Sequence, residues 1–310
     1  MQLIEKLDDI KSAFENAVIT IGNFDGVHIG HQALFHEVIE RADAINGTSI
    51  AMTFEPHPIR VLKQNGHPPL ITLYDQKVEL IEKSGIDVLI VVPFTKEFAA
   101  ITAKEYVLDI LIKRIGARVI VVGEDYTFGK NREGNINLLR SYAEALDIQV
   151  EVVNWIPISN KSRKRISSTR IRKLVMDGRV RDAQKLLGRH YQIKGEVVTG
   201  RNRGGKLLGF PTANINLHDE LCPKPGVYAV TVESMGSIFK GVANIGYSPT
   251  FDDHEFTVEA HILDFDTNIY GQTIRVNFVQ RIRDEIKFSS ITELSDQITQ
   301  DVAFARRALK

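Results

Sequence analysis

The spacing of apolar residues changes once along this chain, near residue 190, and this change limits the possible folds more than any other feature. Up to about residue 155, short apolar runs alternate with helical patterns. Continuous apolar runs are typical of strands buried on both faces of a parallel sheet. The predicted strands are Val18–Ile21, Ser49–Phe54, Val88–Val92, Arg118–Val122 and Gln149–Val153. The alternation predicts a Rossmann-like, doubly wound α/β domain with right-handed crossovers, whose ligands bind at the carboxyl ends of the strands.

Two polar segments mark where helices of this first domain begin. Thr102 and Glu105 have the spacing of a capping box, in which each side chain accepts a hydrogen bond from a backbone N–H of the first turn. An apolar helical pattern starts directly after them, at Tyr106. The segment Thr72–Asp75 predicts the start of another helix.

After residue 190, strand-like runs follow one another with few helical stretches between them. Gly, Pro, Asn and Asp separate these runs, which is typical of an antiparallel barrel or sandwich. The runs are Tyr191–Val198, Val227–Glu233, Phe239–Ile245, Phe256–Leu263 and Thr273–Val279. Helical patterns are predicted over Ser167–Leu187, with a break at Gly178, and over Ile291–Leu309. We therefore expect two domains, residues 1–186 and 187–310.

Charge and cysteine content argue against several classes of function. Lys plus Arg and Asp plus Glu both number 39, so no overall field attracts nucleic acid or an acidic membrane. The one cysteine, Cys222, has no intrachain disulfide partner, which is typical of a reducing compartment. The charged N-terminal residues do not resemble a signal peptide, and no apolar run approaches the roughly 18 residues of a membrane span. We expect a cytoplasmic protein without nucleic-acid or membrane partners, and its oligomeric state stays open.

The first predicted strand ends in a glycine-rich turn that carries two histidines, His28 and His31. Gly22 and Gly26 permit a tight turn, and Gly30 permits a phosphate to lie against the helix that follows. The free N–H groups and positive dipole end of a helix N-terminus favour phosphate binding. Imidazoles three residues apart can point to one side, where they can donate hydrogen bonds to phosphoryl oxygens.

A metal site is the alternative for this histidine pair. Structural zinc takes four ligands, mostly cysteine and histidine. No cysteine lies nearby in the sequence, and His36 and His57 have no surrounding motif that demands a metal. The position of the pair after the first strand of a Rossmann-like pattern favours the phosphate site.

Four motifs, in order along the chain, carry a resemblance to a known family. The residues His28-Ile-Gly-His31 resemble the HxGH signature of the nucleotidyltransferase superfamily, and the longer string Gly22–Gln32 resembles the bacterial FAD synthetases. The other motifs similar to that family are Thr53–Pro58 (TFEPHP), Gly123–Gly129 (GEDYTFG) and Ile166–Arg172 (ISSTRIR). Each motif lies at the end of a predicted strand or in the loop after the last one.

The resemblance implies adenylyl transfer, in which the phosphate of FMN attacks the α-phosphorus of ATP and gives FAD and pyrophosphate. No covalent enzyme intermediate is expected, so positioning and charge neutralisation supply the rate. His28 and His31 are then the catalytic pair at the ATP phosphates. The other residues implied at these phosphates are Gly22, Asn23, Asp25, Gly30, Ser168, Thr169 and Arg170.

The same resemblance implies contacts to the flavin. A flat apolar ring system needs apolar faces, which two phenylalanines of these motifs supply. Ordinary core packing is the alternative for each of them. Thr127 stands where the family often has a basic residue. The flavin-binding candidates are Phe54, Pro56, His57, Asp125 and Phe128.

A basic run, Lys161–Arg165, precedes the last of the four motifs. A charge run of this kind is usually a solvated loop, and attraction of polyphosphate is the functional alternative. RNA binding is a third interpretation, and no recognised nucleic-acid module in the sequence supports it.

A glycine-rich loop in the second half of the chain nearly fits a P-loop. Leu207 stands where a P-loop has the Ser or Thr that ligates magnesium, and no helical pattern follows, so we reject that motif. A loop that covers phosphates through backbone contacts remains the expectation. Its residues are Gly200, Gly204, Gly205 and Lys206.

The next motif, Gly209–Asn214 (GFPTAN), resembles the signature of riboflavin kinases. A plain turn is the alternative, since Pro and Asn favour turns. Further segments similar to that family are Pro225–Ala229, Gly241–Gly246, Val258–Asp264 and Arg281–Phe288, so the two resemblances cover nearly the whole chain. They imply a β-barrel kinase domain with a C-terminal helix, in which Thr212 and Asn214 ligate magnesium. The residues implied at Mg-ATP also include Gly209, Phe210 and Pro211.

Glu259 lies in an alternating strand of this second half. Strict alternation puts its side chain on the face of Thr257 and His261, opposite Val258 and Ala260. A carboxylate on a barrel face can take a proton from a hydroxyl group. The resemblance implies that Glu259 is the catalytic base for the ribityl hydroxyl of riboflavin, and a solvated strand glutamate is the alternative.

We therefore predict a bifunctional enzyme that uses ATP and Mg²⁺, with a barrel that makes FMN and an N-terminal domain that makes FAD. An adenylyltransferase with a degenerate kinase domain is the nearest alternative. Thr212, Asn214 and Glu259 argue against it, although Ser248 stands where the family often has a basic residue. A flavin-binding or RNA-binding regulator is the alternative from another class, and the zero net charge argues against it.

Overall fold

The computed structural model describes residues 1–63, 66–154, 156–157, 165–199, 210–217, 219–247 and 256–310. The chain divides into two units, Met1–Ser168 and Thr169–Lys310. The predicted domain boundary at residues 186 and 187 differs from this division over residues 169–186 and stays a prediction. Among the described residues, none of the helices combines the length and the apolar character needed to cross a membrane.

Parallel strands form the sheet at the centre of the first unit. The strands of this unit are β1 (Gln2–Ile4), β2 (Ala17–Ile21), β3 (Ser49–Glu55), β4 (Val88–Pro93), β5 (Ala117–Gly123), β6 (Thr127–Phe128), β7 (Gly134–Asn135) and β8 (Gln149–Val153). Six of them stand in the order β1-β4-β3-β2-β5-β8, and β6 and β7 form a separate short pair. Every adjacent pair in the six-stranded sheet is parallel. The five predicted strands are confirmed to within one or two residues.

The strand order changes direction at β2. The chain passes from β2 to its neighbour β3 and on to β4, and then returns to place β5 on the other side of β2. Ligands of doubly wound sheets bind beside the carboxyl ends of strands at such a switch point. The segment that follows β2 is therefore in the position that this fold uses for binding.

Helices cover both faces of this sheet. They are α1 (Ile29–Ala44), α2 (Pro58–Leu62), α3 (Tyr74–Glu82), α4 (Lys96–Ala99), α5 (Ala103–Glu105), a π helix (Tyr106–Ile115) and α6 (Ile136–Ala145). Alternate strand residues point to opposite faces and form two apolar cores. One core contains Ile19, Ile50 and Ile90 with residues of the π helix and α6, and the other contains Val18, Ala51 and Leu89 with residues of α1 and α3.

The capping box predicted at the start of α5 is confirmed. The Thr102 hydroxyl accepts from the Glu105 backbone N–H at 3.2 Å, and the Glu105 carboxylate accepts from the Thr102 N–H at 2.9 Å. The helix predicted near Thr72 is also present, but Thr72 does not cap it. Leu73 is the residue that precedes α3, and the Thr72 hydroxyl accepts a hydrogen bond from Gly26 N–H at 3.0 Å.

A closed antiparallel barrel forms the second unit, which decides between the predicted barrel and sandwich. Its elements are α7 (Ser168–Met176, beginning at the unit boundary), α8 (Val180–Leu187), β9 (Tyr191–Val198), β10 (Ala213–Ile215), β11 (Gly226–Ser234), β12 (Ser237–Tyr247), β13 (Phe256–Ile262), β14 (Thr273–Arg283) and α9 (Ile291–Ala308). The strand order is β10-β13-β12-β11-β14-β9, and β9 pairs with β10 to close the barrel. Its interior is filled by apolar side chains, among them Val230, Val258, Ala260, Val276 and Phe278, each 0% exposed.

The last helix, α9, covers part of the outside of this barrel. Its buried residue Ala305 packs against Val227, Ala229 and Val242. Asp301, also buried on α9, accepts hydrogen bonds at 3.0 and 2.7 Å from the guanidinium of Arg283, which ends β14. The helix is therefore fixed to the barrel by an apolar contact and a buried ion pair.

Candidate active sites

The first site begins with the two histidines, which lie where α1 starts. His28 is the N-cap residue of α1, and its Nδ1 accepts a hydrogen bond from the backbone N–H of His31 at 3.3 Å. The two imidazole rings stack with centroids 3.6 Å apart and an interplanar angle of 16°. Because Nδ1 of His28 accepts, the proton of the neutral ring is on Nε2, which can donate to a phosphoryl oxygen. The three-residue spacing puts both rings on one side.

Small residues leave the space in which these rings sit. A Cβ added at Gly30 would lie 3.1 Å from Cε1 of His28, and one added at Gly22 would lie 2.7 Å from the ring of Phe24. That phenylalanine is 1% exposed, and its ring meets the His31 ring edge-on at 5.3 Å. Side chains at either glycine would displace the rings that pack beside them.

Asp25 holds the loop between β2 and α1 in place. Its carboxylate oxygen Oδ1 accepts from the backbone N–H groups of Ile71 and Thr72, at 2.9 and 3.1 Å. Asp25 is 3% exposed, so these hydrogen bonds are shielded from water. Oδ1 of Asp25 therefore joins this loop to the segment before α3. The predicted role of Asp25 at the ATP phosphates stays a prediction.

The last motif of the first unit is joined to this loop. The hydroxyl of Ser168 donates to the backbone carbonyl of Asp25 at 2.9 Å, across 143 positions of sequence. Asn23 is exposed, and its carbonyl accepts from the buried Thr53 hydroxyl at 3.3 Å. Thr169 and Arg170 follow Ser168 on α7 and belong to the second unit. This hydrogen bond brings Ser168 to the loop between β2 and α1, within the first unit.

Both predicted flavin phenylalanines belong to a chain of rings in the first unit, here called the aromatic cluster. Ring centroids of successive neighbours are 5.5 to 6.3 Å apart. Phe128 is 6% exposed, as ordinary core packing also requires, whereas Phe54 is half-buried. Burial raises the pKa of Tyr106 and of Tyr126, which keeps both phenols neutral. The members of the aromatic cluster are Phe54, Phe94, Phe98, Tyr106, Tyr126 and Phe128.

Sequence reasoning identified only part of this cluster. Phe94 and Phe98 lie after β4, outside all four motifs, and no pattern along the chain marks them as neighbours of Phe54. Tyr106 was expected only as an apolar helical residue. Tyr126 is inside the GEDYTFG motif, and that position was the signal that marked it.

The remaining flavin candidates make polar contacts of their own. His57 Nδ1 accepts from the Ile59 N–H at 3.2 Å and so caps α2, and the exposed Pro56 follows a cis peptide bond. The carboxylate of Asp125 lies 3.4 Å from the Arg165 guanidinium. Arg165 is the described end of the basic run, and its other residues, 161–164, lie outside the described part of the chain.

A basic side chain reaches Thr127 although the threonine itself is neutral. The Nε of Arg132 donates to the Thr127 hydroxyl at 2.9 Å. Arg132 follows Asn131 in the left-handed region, with φ of 60° and 56° respectively. Local backbone geometry thus places a guanidinium where this chain departs from the family pattern.

The second site is a row of polar residues on the barrel surface. Glu259 on β13 is directly paired with Asn214 on β10 and with Asn244 on β12. Directly paired residues of antiparallel strands point to the same face. Val258 and Ala260, on either side of Glu259, are each 0% exposed and fill the interior, so the row faces outward as strand alternation predicts.

His261 connects this row to the motif GFPTAN. Its Nδ1 lies 2.8 Å from the carbonyl oxygen of Pro211, and its ring meets Phe210 edge-on at 5.5 Å. Strand β13 therefore fixes the segment that carries Thr212. The predicted loop residues Gly200, Gly204, Gly205, Lys206 and Gly209, and the departure at Ser248, lie outside the described residues.

A cavity of about 260 Å³ opens beside Thr212. Its lining is mainly apolar with a few polar groups, which is typical of a small-molecule site. Residues of β10 and of the segment between β13 and β14 contribute to it. They include Thr212, Ala213, Phe265, Asn268 and Tyr270.

Two family models match the chain, one for each of the two predicted activities. The FAD synthetase model matches residues 10–170 and the riboflavin kinase model residues 187–309. A bifunctional riboflavin kinase/FMN adenylyltransferase of Haemophilus influenzae is 37% identical over 99% of this chain and 98% of its own length. The protein of that description from Escherichia coli K12 is 36% identical, over 99% and 97%.

The chain belongs to the bifunctional riboflavin kinase/FMN adenylyltransferase family. Membership of this bifunctional family confirms the predicted fold class, an FAD synthetase domain followed by a riboflavin kinase barrel, and the predicted enzyme of flavin cofactor synthesis. A crystal structure described as a macrolide-efflux protein from Streptococcus pneumoniae is 35% identical, with a TM-score of 0.88 over 98% of each chain. Its description names a different activity from that of the family, so we take only the fold from this likeness.

Proposed function

We propose that this chain makes FAD from riboflavin in two ATP-dependent steps, one in each unit. The barrel phosphorylates the ribityl hydroxyl of riboflavin to give FMN, and the first unit transfers AMP from ATP to the phosphate of FMN. The observation that carries the second step is the stacked His28 and His31 pair at the start of α1, with Ser168 bonded to the same loop. The predicted cytoplasmic location stays a prediction.

Adenylyl transfer in this proposal is a direct displacement. A phosphate oxygen of FMN attacks the α-phosphorus of ATP, the bond to the bridging oxygen of the β-phosphate breaks, and pyrophosphate leaves. His28 and His31 donate hydrogen bonds to oxygens on which negative charge grows, next to the positive end of α1. Ser168, bonded to the same loop, holds the β- and γ-phosphates that leave, and the same role for Thr169 and Arg170 stays a prediction.

The flavin of FMN lies on the aromatic cluster in this proposal. Successive rings 5.5 to 6.3 Å apart make a continuous apolar cluster, and its half-buried member Phe54 offers a face to the isoalloxazine ring. Phe128 backs this contact from within the cluster, and Pro56, His57 and Asp125 border it. The proposed reaction requires the phosphate of FMN to extend from there towards the histidines.

The kinase step uses the polar row on β10 and β13. Glu259 accepts the proton of the ribityl hydroxyl, the hydroxyl oxygen attacks the γ-phosphorus of ATP, and ADP leaves. Thr212 and Asn214 are the oxygen donors that fit Mg²⁺, since this ion takes one or two protein ligands together with substrate phosphates. When bound, Mg²⁺ neutralises charge on the transferred phosphate.

The test separates the two reactions in one protein. Purified protein with riboflavin, ATP and Mg²⁺ is expected to form FMN first and FAD after it. The three flavins are separated by chromatography at successive times. His28→Ala with His31→Ala removes the phosphate donors, so FMN should accumulate while FAD falls by at least about 100-fold. Glu259→Gln removes the base, so riboflavin should persist while added FMN still becomes FAD.

Each outcome assigns a site or removes an assignment. FAD formation that survives the double histidine change contradicts the phosphate site. Kinase turnover that is unchanged in Glu259→Gln excludes this residue as the base. A wild-type protein that leaves riboflavin untouched and converts FMN would show a degenerate kinase domain, and one that converts neither flavin would favour a binding protein.

A further inference from the structure

One lysine of the first unit is buried beside the proposed flavin site. Lys77 lies on α3, and its side chain is 5% exposed. Its Nζ donates to the backbone carbonyl of Phe54 at 3.3 Å and lies 3.4 Å from the carboxylate of Glu55. Lysine is almost never fully buried unless it is paired, and these two contacts supply the pairing.

The charges around Lys77 support an ammonium at this position. Burial lowers the pKa of Lys77, and the carboxylates of Glu55 and Asp25 oppose that shift. Replacing the ammonium by a neutral group would leave the Glu55 carboxylate without this cation. The contact therefore combines a charge pair with a hydrogen bond to the end of a strand.

The helix that carries Lys77 is bonded to both halves of the proposed site. The segment just before α3 donates two backbone hydrogen bonds to Asp25, in the loop that precedes the histidines. Lys77, one turn into α3, holds the carboxyl end of β3, which carries Phe54. The start of α3 and the segment just before it thus link the loop between β2 and α1 to Phe54, the first ring of the aromatic cluster.

We infer that Lys77 is a positioning residue for adenylyl transfer, which fixes the end of β3 and its Phe54 ring relative to the phosphate loop, Gly22–His28. The inference rests on the proposed function, because it assumes that Phe54 contacts the flavin. Lys77 touches neither substrate in this arrangement and acts through Phe54 and Glu55. Its loss should therefore weaken the use of FMN more than the use of ATP.

The test compares Lys77→Met with a matched control, Lys83→Met, in the full-length protein. Lys83 follows the same helix but is 64% exposed and pairs with Glu79. Lys77→Met should raise KM for FMN in FAD formation by about tenfold and leave KM for ATP within about twofold. Lys77→Arg keeps the charge and its donors and should recover KM for FMN to within about threefold of wild type. Lys83→Met should change neither constant.

Riboflavin phosphorylation and the melting temperature are measured for every variant. If Lys77→Met does not fold, Lys77→Gln is used, with the same expected rise in KM for FMN. An unchanged KM for FMN in a folded variant overturns the inference, and so does an equal rise for ATP and FMN, which indicates general loosening. A wild-type protein that forms no FAD overturns the proposed function as well, whereas wild-type activity with an unaffected Lys77→Met overturns the inference alone.

Discussion

At the scale of single residues, the first site depends on the missing side chain of Gly30 as well as on the histidine rings. The ring of His28, which stacks on the ring of His31, lies in space that a side chain at Gly30 would enter. The position lies in the first turn of α1, where alanine is a better helix former than glycine. Local helix preference and the packing of the ring therefore favour different residues at the same position.

Gly30→Ala separates these two effects. An added Cβ would lie 3.1 and 3.2 Å from Cε1 and Nδ1 of His28, closer than ordinary contacts, so the ring must move. We expect FAD formation to fall by about tenfold or more, because a small misplacement of a catalytic group is costly. The melting temperature should change little, since the helix preference of alanine, about 0.5 to 1 kcal/mol in a helix interior, offsets the cost of moving the ring. Unchanged FAD formation would contradict the need for this space, and riboflavin phosphorylation is the internal control.

Residue identities in the four motifs could be found from the sequence, but their partners could not. The spacing of His28 and His31 predicted two rings on one side of a helix start. The use of the Asp25 carboxylate by Ile71 and Thr72 depends on a contact across 46 and 47 positions. Lys77 was missed too, since its contact with Phe54 spans 23 positions. A lysine in a helical pattern is also usually solvated, so nothing in the sequence marked this one as buried.

At the scale of elements, the long strands were predictable and the short ones were not. Runs of five or more apolar residues such as Val88–Pro93 show their burial directly in the sequence. The three-residue strands Gln2–Ile4 and Ala213–Ile215 were missed because so few residues cannot show a period of two. Ala213–Ile215 nevertheless closes the barrel and carries Asn214.

Two ion pairs on α9 give a matched test of what fixes this helix. Asp301 pairs with Arg283, and their side chains are 4% and 18% exposed. Asp264 pairs with Arg306 of α9, and these side chains are 72% and 47% exposed. Removing one partner of a buried pair leaves an uncompensated charge, whereas water solvates the partners of an exposed pair.

Asp301→Asn should therefore lower the free energy of unfolding of the barrel by about 3 kcal/mol. Asp264→Asn, the control, should leave it nearly unchanged. Urea unfolding followed through riboflavin phosphorylation measures the barrel in both variants. Equal effects of the two changes would show that burial does not set the strength of these pairs.

At the scale of the whole molecule, the position of the domain boundary decides whether helices α7 and α8 belong to the barrel domain. Helices α7 and α8 carry buried side chains, among them Val175, Ala183 and Leu187. The Val175 carbonyl accepts from the Lys224 backbone N–H at 3.3 Å, and a Cβ at Gly178 would lie 2.6 Å from Cδ of Arg281. The change of pattern near residue 190 did not show these contacts, because periodicity marks strands and not what packs on them.

Two fragments of the chain test the boundary. Residues 169–310 keep α7 and α8, whereas residues 187–310 follow the boundary that we predicted from the sequence. If the helices are part of the barrel unit, the longer fragment should melt at least about 5 °C higher and retain riboflavin phosphorylation. Equal melting temperatures and activities would support the boundary at residues 186 and 187.

The alternation along β13 has a consequence for how this family can change over time. Even-numbered residues such as Val258 and Ala260 build the barrel, and odd-numbered residues such as Glu259 and His261 face the proposed chemistry. Selection for folding and selection for substrate therefore act on alternate residues of one seven-residue strand. A lineage can replace the odd-numbered residues, and so lose or alter its reaction, while the even-numbered residues preserve an intact barrel.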